Sequence, residues 1–481
     1  MRFKTSFLIT LAFQVLILAI DKGAGFVIWW LLGDDAEAAG GVLLLLNLPA
    51  IMVAVGNLGL AASCVYFVQR KEVTADIAGR SSMTVAIVWG ALLAVVLRVV
   101  LEIWVRTTPG AELPPWTMLT PMLVLPVFLL VTMYRNYLQL ATGSIVAFNV
   151  TRLVPSLCFL PLFLVLYFVV TERDAYHAAA YARFVPGVLV AIGVVIAMRR
   201  IVRMTPGFDR PFLRKALGFG WRANVHATLT ALNHRIDLYL LGGLYVVAAV
   251  LPENERLAAM QREAAFYAYA MTLAELIWHF PEALRDVLFA KVAGMDEDDA
   301  SEFTPVVARN SLFVAVLGAI AIWFAHAPAL QLLLGESWIT TWAAGLTPAL
   351  FWLLPGTVFY TVAKVLQSDL MARHHLASCN FATSAVFVTL VGLDFAWIPA
   401  HGARGAAMAS SVAYLVGAVL TIGVYLRSTR VRLLDVLLVR PGDFAHYRGI
   451  LPRTPHKNAA PSGTSSPKEP GRAGSDRRSI Q

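Results

Sequence analysis

FLITLAFQVLILAIDKGAGFVIWWLL, residues 7–32, decides what kind of protein this is. A helix needs about 20 apolar residues to cross a hydrocarbon core of roughly 30 Å, and this run supplies them with length to spare. Arg2 and Lys4 precede it, as in a secretory leader, but the apolar stretch is too long for one, so it reads as a retained first span. Its middle holds Asp21-Lys22, a pair that lipid would penalise by several kcal/mol. Neighbours on a helix project about 100° apart, so one can face a cavity while the other snorkels or finds a partner.

Outward from this run the same pattern repeats. Apolar blocks are expected to span at residues 6–32, 41–69, 82–106, 117–141, 145–170, 175–199, 217–248, 263–290, 305–327, 340–366, 375–398 and 404–426, with turns such as Gly33-Asp34-Asp35, Pro109-Gly110 and Pro399 to Gly405 between them. The composition agrees. The 481 residues are 58% hydrophobic and 14% charged, whereas soluble domains run near 45–50% and about 25%. Too little charge is present to face water over the whole surface, so lipid must cover much of it. The expectation is an all-α integral membrane protein of about 12 transmembrane helices.

Loop charges set the orientation. Arg70, Lys71 and Arg80 flank the loop after the second span, and Arg199, Arg200, Arg203, Arg210, Arg214 and Lys215 fill the loop after the sixth. Alternate loops carry Asp34, Asp35, Glu37, Glu253, Glu255 and Glu336. Both termini are therefore expected to be cytoplasmic, which requires an even number of spans. The basic stretch at residues 201–216 divides the chain into two six-helix lobes, residues 1–200 and 217–426. Alanine-rich openings of the sixth and twelfth spans, at Ala178-Ala179-Ala180 and Ala406-Ala407, echo each other, and small residues let helices approach closely in lipid. Residues 427–481 form a basic tail with 11 Lys/Arg against 4 Asp/Glu. It is expected to begin as a short interfacial helix and to continue as a disordered segment. The net charge of +9 sits mostly in this tail. That points to anionic lipid as the neighbour and disfavours nucleic acid.

No phosphate loop, nucleophile elbow or zinc signature is present, so an enzyme is not expected and no cofactor or metal is implied. Cys64, Cys158 and Cys379 lie far apart in apolar blocks and read as buried thiols. Met295-Asp296-Glu297-Asp298-Asp299 reads as a solvated acidic run. Glu275 and His279 share a helix face but lack further metal ligands. The informative residues are the ionisable ones inside spans. The seventh span carries Asn224, His226, Asn233, His234, Arg235 and Asp237. On one continuous helix Asn233 and Asp237 would stack one turn apart while Arg235 pointed away, which makes an Arg235–Asp237 pair awkward. Each could serve a cavity or an interhelical lock. Arg98 and Glu102 are placed to pair with each other. Arg135 and Arg152 could snorkel or line a cytoplasmic vestibule. Lys364, Asp369, Glu282, Arg285 and Asp286 are expected at the cytoplasmic boundary, with Arg183 and Asp394 toward the outer one.

Several stretches resemble the polysaccharide-exporting, O-antigen flippase branch of the multidrug/oligosaccharidyl-lipid/polysaccharide flippase superfamily. They are Gly56-Asn57-Leu58-Gly59-Leu60-Ala61-Ala62, Asn233-His234-Arg235-Ile236-Asp237, Tyr267 to Glu282 with Phe280-Pro281-Glu282-Ala283-Leu284, and Ile398-Pro399 with Gly402 to Ser411. The resemblance covers most of residues 1–430. It departs near Leu251 to Arg262, where the segment is longer than usual, and in the tail. It implies two lobes around a central cavity in the plasma (inner) membrane. Alternating access would carry a polyprenyl-pyrophosphate-linked oligosaccharide from the inner to the outer leaflet, with a glycan polymerase and assembly proteins as partners. Lys22, Arg98, Arg152 and Arg235 are then the candidates for the anionic headgroup. Asp21, Asn233, His234 and Asp237 are candidates for coupling or cavity support. A cation-coupled multidrug exporter of the same superfamily, with Asp21 as its coupling acid, is the alternative. A membrane glycan polymerase or ligase is a second one, disfavoured by the short outer loops.

Overall fold

A computed structural model describes residues 3–107, 115–244, 251–279, 297–373, 375–429 and 431–440. The first half of the chain forms α1 (Phe3–Leu31), α2 (Ala36–Gly56), α3 (Leu60–Gln69), α4 (Ala75–Thr107), α5 (Trp116–Ala141), α6 (Ile145–Val165, continued by a π turn at Leu166–Val170) and α7 (Ala175–Ala197). The second half forms α8 (Arg210–Asn233), α9 (Ile236–Leu244), α10 (Glu253–Glu275, ending in a 3-10 turn at Leu276–Trp278), α11 (Glu297–Leu334), α12 (Ala343–Ala372), α13 (Leu376–Ser428) and a short α14 (Leu433–Leu437). Among the described residues, nine helices are long and apolar enough to cross a membrane. One of them, α13, runs 53 residues but bends at Gly402 (φ 55°, ψ −132°), so its two arms lie where the eleventh and twelfth spans are expected. The kink leaves the Ala403 amide free of the helix ladder, and Glu263 accepts it at 2.7 Å.

Aspartates start three of the helices. The Asp35 side chain accepts the Ala38 amide, Asp174 those of Tyr176 and His177, and Asp209 that of Phe212, each satisfying donors that a helix start leaves open. Apolar side chains such as Val88, Val95, Val99 and Ile103 on α4 face outward, as a lipid-facing surface requires. The alanine-rich stretches are packing seams, with Ala178, Ala179, Ala180, Ala406 and Ala407 fully buried.

Two expected spans are interrupted. The second divides into α2 and α3 at Asn57-Leu58-Gly59, where Gly59 takes φ 71°. A Cβ there would stand 2.1 Å from the Gly220 carbonyl oxygen, so two backbones touch where α3 meets α8. Ser63 Oγ seals the same contact by donating to the Ala216 carbonyl at 2.7 Å. The seventh span breaks at His234-Arg235, between α8 and α9. Asn233 and Asp237 therefore do not stack on one continuous helix. The seventh helix also begins at Arg210, inside the expected linker, because Asp209 caps it there. The rest of that linker is strapped to the start of α4: Thr84 donates to the Gly207 carbonyl at 2.6 Å, and the Arg203 amide donates to Asp76 at 2.7 Å.

Burial corrects other expectations. Arg135 neither snorkels nor lines a vestibule. It is buried, fits beside Gly79, and reaches Met83 Sδ at 3.4 Å. Lys364 and Asp369 are buried rather than held in boundary water, Asp369 by Thr304 at 2.9 Å and Arg373 at 2.8 Å. Asp394 is wholly buried. The segment at 251–262, read as an unusually long connection, is mostly the opening of α10. The turn at Pro109-Gly110, the stretch Phe280 to Leu284 with Glu282, Arg285 and Asp286, the start of the acidic run at Met295-Asp296, and the tail from residue 441 lie outside the described residues.

Candidate functional site

The break between α8 and α9 places Arg235 where a side chain can leave the helix axis and face α10. There Glu275 Oε1 lies 3.7 Å from Arg235 Nη2, and Glu275 Oε2 lies 3.3 Å from Lys22 Nζ. Lys22 belongs to α1 in the first half of the chain, so one carboxylate joins cations from both halves. The Glu275 side chain is 12% exposed, against 23% for Lys22 and 34% for Arg235. His234 and Lys364 also lie within electrostatic reach of Glu275. Lys364 Nζ sits 3.8 Å from the centroid of the Trp278 ring, where the electron-rich face favours a cation. The Trp278 indole N–H donates to the Thr357 carbonyl at 2.9 Å, and His234, Tyr360 and Tyr414 meet the same ring. Among the described residues, the part-exposed Lys22 and Arg235 both reach Glu275, and Lys364 lies within its electrostatic reach, a cationic setting that suits an anion.

Behind this cluster runs a second polar layer. Tyr267 and Ser410 both donate to Asp237 Oδ2, with 2.9 Å between their own oxygens. Among the described residues, Asp237 Oδ1 and both oxygens of Asp394 have no hydrogen-bond partner. Asn233 anchors the break structurally: its side-chain amide donates to the Thr383 carbonyl and its own carbonyl accepts from Tyr414, each at 3.2 Å.

The other candidates fall elsewhere. Asp21 and Arg152 line a cavity of about 700 Å³ among α1, α2, α5, α6 and α7, together with Arg183. Arg98 is bonded to Glu102 at 2.6 Å and stacked over Trp116, while Arg106 holds the other Glu102 oxygen. Of the eight residues singled out from the sequence, the structure gathers Lys22, Arg235 and His234 around Glu275. Asn233 and Asp237 support the break, Asp21 and Arg152 share a separate cavity, and Arg98 stands apart.

Glu275 and Lys364 are the residues that sequence reasoning missed. Glu275 drew notice in the sequence only for sharing a helix face with His279, without further metal ligands, and was given no role. The usable signal was simpler: an acid inside the eighth helix needs a cation, and Lys22 and Arg235 were both at mid-span.

One end of the bundle is closed between the halves. Gly40 on α2 meets the backbone of α10 so closely that a Cβ would stand 1.9 Å from the Gln261 oxygen. Arg262 pairs with Glu37, Ser337 bonds Asp34, and the Trp342 indole donates to the Gly33 carbonyl at 2.6 Å. This is the end whose loops carry Asp34, Asp35 and Glu37.

No family model and no curated protein matches the chain. Solved structures do. A multidrug resistance MATE family transporter of the MOP superfamily, in its inward-facing conformation, aligns at TM-score 0.66 and 14% identity over 85% of this chain and 94% of that one. An outward-facing conformation of such a transporter aligns at 0.57 and 14% identity over 88% and 94%. Lipid II flippase MurJ, in an inward closed conformation, aligns at 0.62 and 13% identity over 88% of this chain and 89% of that one. The chain therefore has the fold of MOP superfamily transporters.

Proposed function

We propose that the protein is a membrane transporter that flips a polyprenyl-pyrophosphate-linked oligosaccharide from the inner to the outer leaflet for surface polysaccharide biosynthesis. The observation that carries this reading is Glu275, one carboxylate shared between Lys22 and Arg235 from the two halves, with Lys364 close by. A pyrophosphate offers these cations more negative charge and more acceptor oxygens than Glu275 does. Its arrival between the halves would release Glu275 and re-tie Lys22 to Arg235 through the cargo. That is the differential contact a two-state transporter needs, because a ligand shifts an equilibrium only by its preference for one state. The lipid tail stays in hydrocarbon while the headgroup passes through the polar interior. The shared fold with a lipid II flippase supports the reading.

The test is complementation in a strain lacking the gene, paired with pyrophosphate binding to the purified full chain. Lys22→Gln and Arg235→Gln should each weaken pyrophosphate binding at least tenfold and stop surface glycan export. Normal export by the Arg235→Gln protein would overturn the assignment.

A second reading, a cation-coupled multidrug exporter, is favoured by one feature. Asp237 and Asp394 are buried within electrostatic reach of each other, and neither closes an ion pair among the described residues, although Arg235 lies within reach of Asp237. Such a couple suits proton or cation exchange. On that reading the deletion strain becomes drug-sensitive with its surface glycan intact. On ours the glycan is lost.

A further inference from the structure

The linker between the halves is a built surface. Val202 is buried and seated against Gly79 of α4, where a Cβ would stand 2.5 Å from Val202 Cγ1. That plug sets the turn after α7. The Arg203 amide meets Asp76, and the Arg80 guanidinium donates to the carbonyls of Thr205 at 3.3 Å and Pro206 at 3.5 Å. The Asp209 amide donates to Ser81 Oγ at 3.2 Å. Met204 of this fastened linker lines a groove of about 280 Å³ together with residues of α4, α5 and α7. Every residue lining it is apolar, Ile87, Phe128 and Ile192 among them. Ile192 is 49% exposed and Met204 48%, so the groove opens on the outer surface of the first half, where hydrocarbon is the neighbour. Ile87 stands about 18 Å along α4 from Ala75 at 1.5 Å per residue, so the groove runs from the linker toward the middle of a core of roughly 30 Å. Arg199 and Arg200 follow Ile196, a lining residue at the end of α7, and Arg203 precedes Met204; all three are exposed. Asp76 comes within 4.0 Å of Arg203 Nε, which leaves Arg199 and Arg200 without an acid among the described residues.

We propose that this groove is a binding site for an anionic phospholipid, with an acyl chain along Ile87, Phe128 and Ile192 and its phosphate on Arg199, Arg200 and Arg203. A phosphate diester offers guanidiniums charge-assisted hydrogen bonds. Basic residues clustered directly beside a span favour anionic over zwitterionic lipid. Groove and cations select together: free phosphate would leave the groove empty, and an acidic soluble protein would not reach a slot at membrane depth. By the loop charges the linker faces the cytoplasm, so the ligand belongs to the inner leaflet. The site makes no assumption about the cargo and stands apart from Glu275. Because the linker joins α7 to α8, a lipid held there fastens the connection between the halves to α4.

The test titrates delipidated full chain, in a neutral detergent, with dioleoyl phosphatidylglycerol or dioleoyl phosphatidylcholine, and counts bound lipid by native mass spectrometry. The two lipids share their chains and differ in net charge. Phosphatidylglycerol should bind at least tenfold tighter and raise the melting temperature, as a ligand of the folded state does. Glycerophosphoglycerol, the same headgroup without chains, should bind at least tenfold more weakly than the lipid. The combined Arg199→Gln, Arg200→Gln and Arg203→Gln protein should bind the two lipids within twofold of each other. Ile192→Trp fills the groove from an exposed position, so it should weaken both lipids at least fivefold and keep the lipid-free melting temperature. Equal affinity for the two lipids in the native chain, or an unchanged preference in the triple variant, would overturn the proposal. Equal binding of the chainless headgroup would also overturn it, by showing a bare phosphate site. So would displacement of phosphatidylglycerol by an equal amount of a polyprenyl phosphate, whose methyl-branched chain is wider, because the groove would then serve the cargo.

Discussion

Asp21 and Lys22 are adjacent in sequence and belong to different sites, and the contrast between those sites shows how this bundle handles buried charge. In the cavity of the first half, Asp21 lies within electrostatic reach of Arg183 without closing an ion pair among the described residues, and both line the cavity. At the boundary between the halves, Lys22 is tied to Glu275, and Glu275 to Arg235. The first arrangement leaves its charges unbridged among the described residues. The second supplies an internal anion that a ligand would have to displace. Roughly 100° of helix rotation between consecutive residues is all that separates the two solutions.

The largest effect should come from reversing the anion at the boundary. Glu275→Lys would put a further cation among Lys22, Arg235 and Lys364 and remove the acid that Lys22 and Arg235 contact. Breaking a fully buried ion pair costs about 3–5 kcal/mol; Lys22 and Arg235 are part-exposed, so screening lowers that cost here, but a reversal adds like-charge repulsion to it. The Glu275→Lys protein should fail to accumulate in the membrane. Asp21→Asn, in the open cavity, should accumulate normally, because no cation there depends on Asp21 through a closed pair. Immunoblots of membrane fractions compare the two directly. Equal loss of both proteins would mean that the two sites are not built differently.

Neutralising the same anion should act in the opposite sense on binding. Glu275→Gln keeps the shape and frees Lys22 and Arg235 for a pyrophosphate. Binding should tighten about tenfold, which is roughly 1.4 kcal/mol, while export slows because cargo is released less readily. No change in affinity, or a weaker one, would show that Glu275 does not compete with the ligand. Asp21→Asn should leave pyrophosphate affinity within twofold.

Much of this was legible before the structure, and for physical reasons. Apolar blocks of span length can do little else but cross a bilayer, so the helical membrane class followed from length and composition. The costly charges at Asp21, Lys22, Arg235 and Asp237 were visible because lipid has no use for them. What the sequence concealed was the break at His234-Arg235. No proline or glycine marks it, and tertiary anchors such as the Tyr414 bond to the Asn233 carbonyl hold it instead. Lys364 was misplaced because hydropathy reports how far a residue lies from a helix end, not whether a tryptophan face receives it. Arg152 and Arg235 looked alike as cations within spans, and only the packing of α1 between two neighbourhoods assigns them to different sites.

Arg98 gives the smallest effect and the sharpest control on this logic. By sequence it ranked with Lys22, Arg152 and Arg235 as a cation inside a span. In the structure it belongs to neither site: Glu102 holds it from one turn away and Trp116 lies beneath it. Both partners are part-exposed, at 29% and 34%, so the pair resembles a surface helix pair worth roughly 0.3–0.5 kcal/mol. Glu102 also keeps Arg106 as a second partner when Arg98 is gone. Arg98→Gln should therefore leave pyrophosphate binding and glycan export each within about twofold of the native protein, a bound set by the small energy of such a pair. A tenfold loss of any of them would place Arg98 on the cargo's path. It would also mean that position along a span, and not membership in a closed cluster, governs which cations this protein uses.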